Sequence, residues 1–425
     1  MNSHAATLQD VAAGIRSLPD AKDAFAATQA AWRFFANDDT SLPVLARPLL
    51  QAARDGLRSA CSRVALVVVD WSQLHYLRHS SKLDRAVLVN QHDLGYELRT
   101  ALLLSDLDGS PVAPVHQSLR CADGYHRTDK ARLQAKDDAT KLDGLLPLFR
   151  QVAGLGWPVP AVFVIDREAD SVDHYRRWAD DGRLFVVRAD DCRKVTHQGQ
   201  QRLLSEVREA LRQAGAFKES REVEYHGQPA RQFVAETTIT LSRPGKAKQG
   251  RVSKPGRALR LRLVVAEVRN EQGEVLAHWL LMTDLPEEFD ASTVALWYYW
   301  RWRIESYFKL LKSAGLELEH WGQTTALATA KRLLVASMAC VLAWRISRSK
   351  HPMAKPLRKV LVRLSGRQMK HGKDSTEPAL LAGLWALLQG LALAEQFDLD
   401  ELRRMLHDVL FDQVGPPSPP PKRVV

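Results

Sequence analysis

With 425 residues and 60 Lys and Arg against 49 Asp and Glu, the chain carries a formal charge of +11 and is too long for one small domain. The 45% apolar and 26% charged fractions suit an ordinary soluble protein, and the four cysteines (Cys61, Cys121, Cys192, Cys340) form no CxxC or Cys/His cluster, which argues against a disulfide framework or a structural zinc site. No basic stretch followed by an apolar one opens the chain, so a reducing cytoplasm without a secretory signal is expected, and a pI of about 9.5 favours polyanionic partners.

Residues 1–60 read as an amphipathic helical region, with breaks at Asp20 and at Asp38 to Ser41, and with Pro48 marking the start of the second helix. WRFF at Trp32–Phe35 reads as core. From Val64 to Val69 the chain is one Val-rich apolar run, the pattern of a strand buried on both faces, and it ends in Asp70. Further strands are expected at Ala86–Val89, Glu97–Leu104 and, after a turn at Asp108-Gly109, Val112–His116. Thr128–Val152 reads as a charged helix. Ala161–Ile165 is a second buried run, ending in Asp166 of the string DREAD. A helix at Ser171–Ala179 and a third run at Leu184–Val187 follow. Two central strands thus each deliver an Asp at the carboxyl end, the edge where open α/β sheets bind ligands. The plain alternative for either Asp is a turn or helix cap.

Between 191 and 286 the period changes to strand alternation, at Glu222–Tyr225, Arg231–Leu241, Ala258–Val268 and Val275–Thr283. This reads as a β-rich insertion that splits the α/β core (61–190) from its last helix (287–315). Its loop Arg243–Gly256 is rich in Lys, Arg, Gly and Pro and reads as a contact for a phosphate backbone. The last helix carries YYWRWRIESYFKLLK at Tyr298–Lys312. Tyr298, Arg301, Glu305 and Lys312 fall within an arc of roughly 60° at helical spacing, and Ile304, Phe308 and Leu311 form an adjacent core stripe. Trp302, offset from the strip, reads as packing. Residues 316–412 read as helical and 413–425 as a Pro-rich tail. Two stretches here, Leu333–Trp344 and Ala379–Ala394, are apolar but short of a membrane span and read as buried helices.

Asp70, Asp166 and Glu305 are hard oxygen donors with no Gly-rich phosphate loop beside them. Three converging carboxylates suit two Mg²⁺ or Mn²⁺ ions, and a two-metal centre serves in-line displacement at phosphorus. Arg301 and Lys312 would hold substrate phosphates, the first bidentately and the second as a point charge, and the Tyr298 hydroxyl would donate to one. Net charge and the basic loop point to nucleic acid.

Tyr298-x2-Arg301-x3-Glu305-x6-Lys312 resembles the YREK signature of the insertion-sequence-four family of DDE transposases. DREAD at Asp166–Asp170, FVVR at Phe185–Arg188, WLLMT at Trp279–Thr283 and RWRIE at Arg301–Glu305 are similar to the transposon-five branch, from about Trp32 to Lys312. Trp71 departs from the small hydroxyl residue that follows the first Asp in that branch. The resemblance implies an RNase H-like mixed-sheet catalytic core interrupted by a β-rich insertion and flanked by a DNA-contacting N-terminal helical region and a C-terminal helical region that dimerises. It also implies a triad of Asp70, Asp166 and Glu305 holding two divalent ions. Nicking, hairpin formation and opening, and strand transfer would all occur at that one centre, on terminal inverted repeats and target DNA in a bacterial nucleoid. Trp279 matches the Trp that stacks on a flipped base, and Arg188 would be a DNA contact. The residues by themselves leave open an RNase H-fold nuclease that cuts without joining, and a DNA-binding protein derived from a transposase.

Overall fold

The computed structural model describes residues 21–411 apart from 91, 136–139, 243–255, 313–314, 370–371 and 397. Most of the expected basic loop at 243–256, the first 20 residues and the Pro-rich tail therefore lie outside the described residues.

Two helices open the described chain, α1 (Ala21–Ala36) and α2 (Leu42–Ala60). Pro48 does not start α2 as expected but lies inside it; Pro43 occupies the first turn instead. The cost is the one backbone bond that a residue at position 48 would donate to Val44. Of the WRFF cluster, Phe35 is buried while Trp32 is 40% exposed.

The sheet begins with β1 (Ala65–His75), β2 (Ala86–Val87), β3 (Leu94–Leu104), β4 (Pro111–Arg120), β5 (Gly124–Arg127) and β6 (Gln134–Ala135). Of the described residues in the charged stretch expected as a helix over 128–152, only those of α3 (Leu145–Ala153) are helical. Only that part offers apolar residues to bury: Leu145, Leu148, Phe149 and Val152 are fully buried. Next come β7 (Ala161–Ile165), α4 (Val172–Asp180) and β8 (Leu184–Arg188). The strand-rich region contains β9 (Lys194–His197), β10 (Gln200–Leu203), a helix that the alternation conceals, α5 (Leu204–Gln213), then β11 (Lys218–Tyr225), β12 (Gln228–Leu241), β13 (Leu259–Arg269) and β14 (Val275–Thr283). Helices close the chain: α6 (Ala291–Trp300), α7 (Trp302–Lys312), α8 (Ala326–Arg348), α9 (Ala354–Leu364), α10 (Glu377–Gln396) and α11 (Leu399–Phe411).

The fold is mixed α/β. Its strands form one sheet in the order β10-β9-β12-β13-β14-β8-β7-β1-β3-β4-β5-β6, with β11 on β12 and β2 on β3. β1, β7 and β8 are parallel neighbours at its centre, and their Val-rich runs are buried because helices cover both faces. The later strands continue this sheet, because β14 pairs antiparallel with β8 through Leu281 opposite Arg188. On one face α3 and α4 pack through an aromatic cluster: Phe149 stacks on Phe163 at 3.9 Å, and Trp178 lies 5.3 Å from Phe149 and 5.6 Å from Phe185. Each such pair adds roughly 0.5–1.5 kcal/mol beyond its buried area. On the other face α7 lies over β1 and β4, where Tyr307 bonds Gln117 at 2.9 Å and Ser337 of α8 at 2.7 Å.

Among the described residues, two helices are long and apolar enough to cross a membrane. The core explains the first, α8, whose apolar window is 78% buried, but the corresponding window of α10 is only 22% buried, so the expectation of two buried helices holds for one.

Asp284, just after β14, accepts a hydrogen bond from the Phe185 N–H at 3.0 Å. Burial pushes its carboxyl up from 3.8 to about 7, against the pull of that N–H. The folded state therefore holds a proton that the unfolded chain releases, and this contribution to stability is full below pH 4 and is lost as pH rises to 7. Asp284→Asn keeps an acceptor for Phe185 without the charge. It is expected to be more stable than the parent above pH 7, by roughly 1–3 kcal/mol since the residue is only partly enclosed, and equal to it near pH 4. Urea unfolding at the two pH values checks this; parallel stability curves would refute it.

Candidate active site

Parallel pairing of β1 with β7 runs through Val69 opposite Ile165 and stops there. β1 continues to His75 beside β3 alone, while the other chain turns into a short 3-10 helix at Arg167–Ala169. Asp70 and Asp166 each follow one of the last paired residues, so they stand side by side where the sheet opens, with strands about 4.8 Å apart. Asp166 caps the 3-10 turn, accepting from the Glu168 N–H at 2.9 Å, so the plain reading as a cap is correct and does not remove it from the edge. The other acid of DREAD, Asp170, is structural: it is 4% exposed and is held by Arg193 at 2.9 Å.

The strip from Tyr298 to Lys312 is two helices rather than one. The chain tightens at Arg301, whose N–H bonds Tyr298 and whose carbonyl accepts from Ile304, both three residues apart. The Arg301 guanidinium is 7% exposed and spans two acids, with Nη1 donating to Asp70 Oδ2 and Nη2 to Glu305 Oε1, each at 2.8 Å. The pair with Glu305 is the (i, i+4) contact of a helix face, but the buried bond to Asp70 is not. Asp70 also accepts from the Trp71 N–H at 2.8 Å.

Burial pushes the Asp70 carboxyl up to about 6. Arg301 and the Trp71 N–H pull it down, while the charges of Asp166 and Glu305 push it up. Three carboxylates therefore share one field. Tyr298 is buried beside them, its phenol raised by burial and drawn down by Arg301 and Arg188. The structure thus brings together Asp70, Asp166, Glu305, Arg301, Tyr298 and Arg188.

Lys312 lies apart. Its Nζ donates to the Gln73 carbonyl at 2.5 Å and pairs with Glu319 at 3.1 Å, and Glu319 also accepts from the His75 N–H at 2.9 Å. No motif pointed to Glu319, which becomes important only when the end of β1 meets the turn after α7. Trp279 is half-buried against the core on β14. Its register sets it just beyond the end of β8, at the same sheet edge as the acids. Trp302 is not packed as expected: it is 49% exposed, with the Arg301 guanidinium carbon 5.1 Å from its ring centre.

The donor set fits a divalent cation, since it is all hard oxygen and its repulsion is what such an ion relieves. Among the described residues no three Asp, Glu, His or Cys side chains stand as a ready metal cluster. Arg301 sits between Asp70 and Glu305 instead, and Glu305, 41% exposed, has more room to turn than Asp70 at 13%.

Residues 133–342 match the family model described as a transposase DDE domain. The match supports a DDE transposase family; it contains Asp166 and Glu305, and Asp70 precedes it. No curated protein matches the sequence. Among solved structures, one described as a piggyBac transposase synaptic complex with hairpin DNA aligns at 8% identity with a TM-score of 0.35. The alignment covers 84% of this chain and 59% of that one, so the chain spans less than two thirds of its length.

Proposed function

We propose that the protein is a DDE transposase that cuts and joins DNA through Asp70, Asp166 and Glu305, on an RNase H-like core formed by 61–190 and 287–315. The observation that carries this reading is the convergence of three acids at one sheet edge, two of them bridged by a buried Arg301, in a chain that matches a transposase DDE domain. The YREK pattern supports placing it in the insertion-sequence-four family.

Asp70, Asp166 and Glu305 would hold Mg²⁺ or Mn²⁺. Two such ions, when bound, supply an activated hydroxyl and stabilise the leaving oxygen in a displacement at phosphorus. The protein's own groups bind and orient. The Arg301 fork that now grips two carboxylates has the geometry that grips a phosphate bidentately. Arg188 and Tyr298 stand beside it as further phosphate contacts, and Trp279, at the same edge, has the flat face that an unstacked base requires. Lys312, held by Glu319, is set to meet the strand farther along α7.

The DNA would be the terminal inverted repeats and a target, and a second copy of the chain would complete the synapse. α11 supports that partner: Leu399, Leu406, Val409 and Leu410 are each more than 60% exposed at helical spacing, a stripe that needs covering.

Joining separates this reading from a nuclease. Given pre-cut end DNA with a free 3′-OH, Mg²⁺ and a target duplex, the protein is expected to give joined products on a sequencing gel. Cleavage of uncut ends without any joining would leave a nuclease and sink the transposase reading.

A further inference from the structure

On the sheet face opposite Asp70, a pocket of 110 Å³ lies one strand residue from the catalytic edge. A water needs only about 10–15 Å³, so a polyatomic ligand fits. Strand alternation puts Trp71 on this face, and the register continues the row through Arg99, Ser118 and Arg127 on β3, β4 and β5. Trp71, Arg99, Tyr125 and Lys141 line the pocket, and the start of α3 closes it through Gly144 and Pro147.

Arg99 is the anomaly. It is 6% exposed, its Nε has no hydrogen-bond partner, and no acid among the described residues pairs with it. The other charges that line the pocket are engaged: Arg127 with Asp129 at 2.9 Å, Lys141 with Glu168 at 2.7 Å and Glu97 at 3.6 Å, and Asp143 with Arg177 at 2.7 Å. Burial, followed by the charge of Arg127, draws the Arg99 guanidinium down to about 10, against the opposing charges of Tyr125, Glu97 and Asp129, none of which is close enough to pair with it. A buried guanidinium without an anion is unfavourable unless something fills that role. Gly144 makes room for it, since a Cβ there would lie 2.5 Å from Nη1. The pocket also faces the first turn of a nine-residue helix, whose dipole favours an anion, although the Leu145 N–H is taken by the Leu142 carbonyl and Pro147 has none to offer.

We propose that this pocket binds a phosphate monoester, held by the Arg99 fork beside Gly144, and that its source is the 5′-phosphate that strand cleavage leaves on DNA. The second clause rests on the DNA-cleaving reading, because hydrolysis of a phosphodiester to a 3′-OH leaves the phosphate on the neighbouring 5′ end. Lys141 forms the rim: its Nζ lies 4.5 Å from the Trp71 ring centre and pairs with Glu168, two residues after Asp166. A cut end leaving the acids would thus meet Lys141 before Arg99.

Two arms on the full chain test this. In the first, inorganic phosphate is titrated at constant ionic strength and the melting temperature is followed. The wild type is expected to be stabilised, and Arg99→Lys, which keeps the charge without the fork, and Lys141→Ala, at the exposed rim, to bind roughly tenfold more weakly. No phosphate binding by the wild type, or unchanged binding by both variants, overturns the pocket. In the second, short duplexes with 5′-phosphate and 5′-hydroxyl ends are compared in Ca²⁺. Tighter binding of the phosphorylated end, lost in Arg99→Lys, supports the DNA source. Equal binding of both ends with the first arm intact overturns that source and leaves a site for free phosphate. Failure to bind either duplex would count against the proposed function instead, whatever the first arm shows.

Discussion

Glu305→Gln is expected to reduce metal-dependent DNA cleavage by more than about a hundredfold, since even the supporting partners of metal ligands contribute 10–100-fold. DNA binding and melting temperature should stay close to wild type. The side-chain amide keeps an oxygen that can accept from Arg301 Nη2, so the contact at 2.8 Å survives and α7 stays seated. What is lost is a negative charge on an acid more exposed than Asp70. A neutral amide is a poor ligand for a hard divalent ion. Cleavage of end DNA in Mg²⁺ and filter binding of the same DNA in Ca²⁺ read the two effects separately. Cleavage at the wild-type rate would remove Glu305 from the triad, and loss of binding along with cleavage would show damage to the fold.

Replacing Arg301 with Ala should produce a split result. Cleavage is expected to fall by roughly 10²–10³, the loss typical when one donor to a reacting oxyanion is removed. Divalent ions should nevertheless bind at lower concentration. Arg301 neutralises Asp70 and Glu305 in the structure and competes with any cation for both. Removing it leaves three carboxylates repelling one another, and an added ion relieves more repulsion than before. Without an ion the variant should lose roughly 1–3 kcal/mol of stability, less than for a fully buried pair because Asp70 can take up a proton. Mg²⁺ titrations followed by thermal unfolding test this directly. An unchanged Mg²⁺ dependence would mean that Arg301 and the ion do not compete for the same oxygens.

The strands that carry the site were legible because their cause is local. Val64–Val69 and Ala161–Ile165 are continuous apolar runs, and a strand covered on both faces buries all of them but Ala161, which is partly buried. The helical character of 316–412 was legible as well, although the exposure of α10 was not. The stretch 128–152 misled because polar residues suit a solvated helix or a loop equally well, and only Leu145–Val152 had a face to bury. The strip at 298–312 looked like one helix because nothing in it disfavours a helix. The break at Arg301 accompanies a side chain that reaches another part of the sheet.

By itself, then, the sequence determined which side chains were available: two Asp at the ends of buried strands, a Glu on an amphipathic helix, and cations at helical spacing around it. Periodicity and apolar runs record what each short segment can bury, so such assignments need no partner. Only the tertiary structure decided how they meet. Asp70 and Arg301 are 231 residues apart and 2.8 Å from each other. Lys312 is drawn away to Glu319, the later strands join the central sheet through backbone pairing of β14 with β8, and Arg99 pairs with no acid among the described residues beside its pocket. Backbone pairing and ion pairing across such separations leave no trace in local spacing, because they depend on which strand lies next to which.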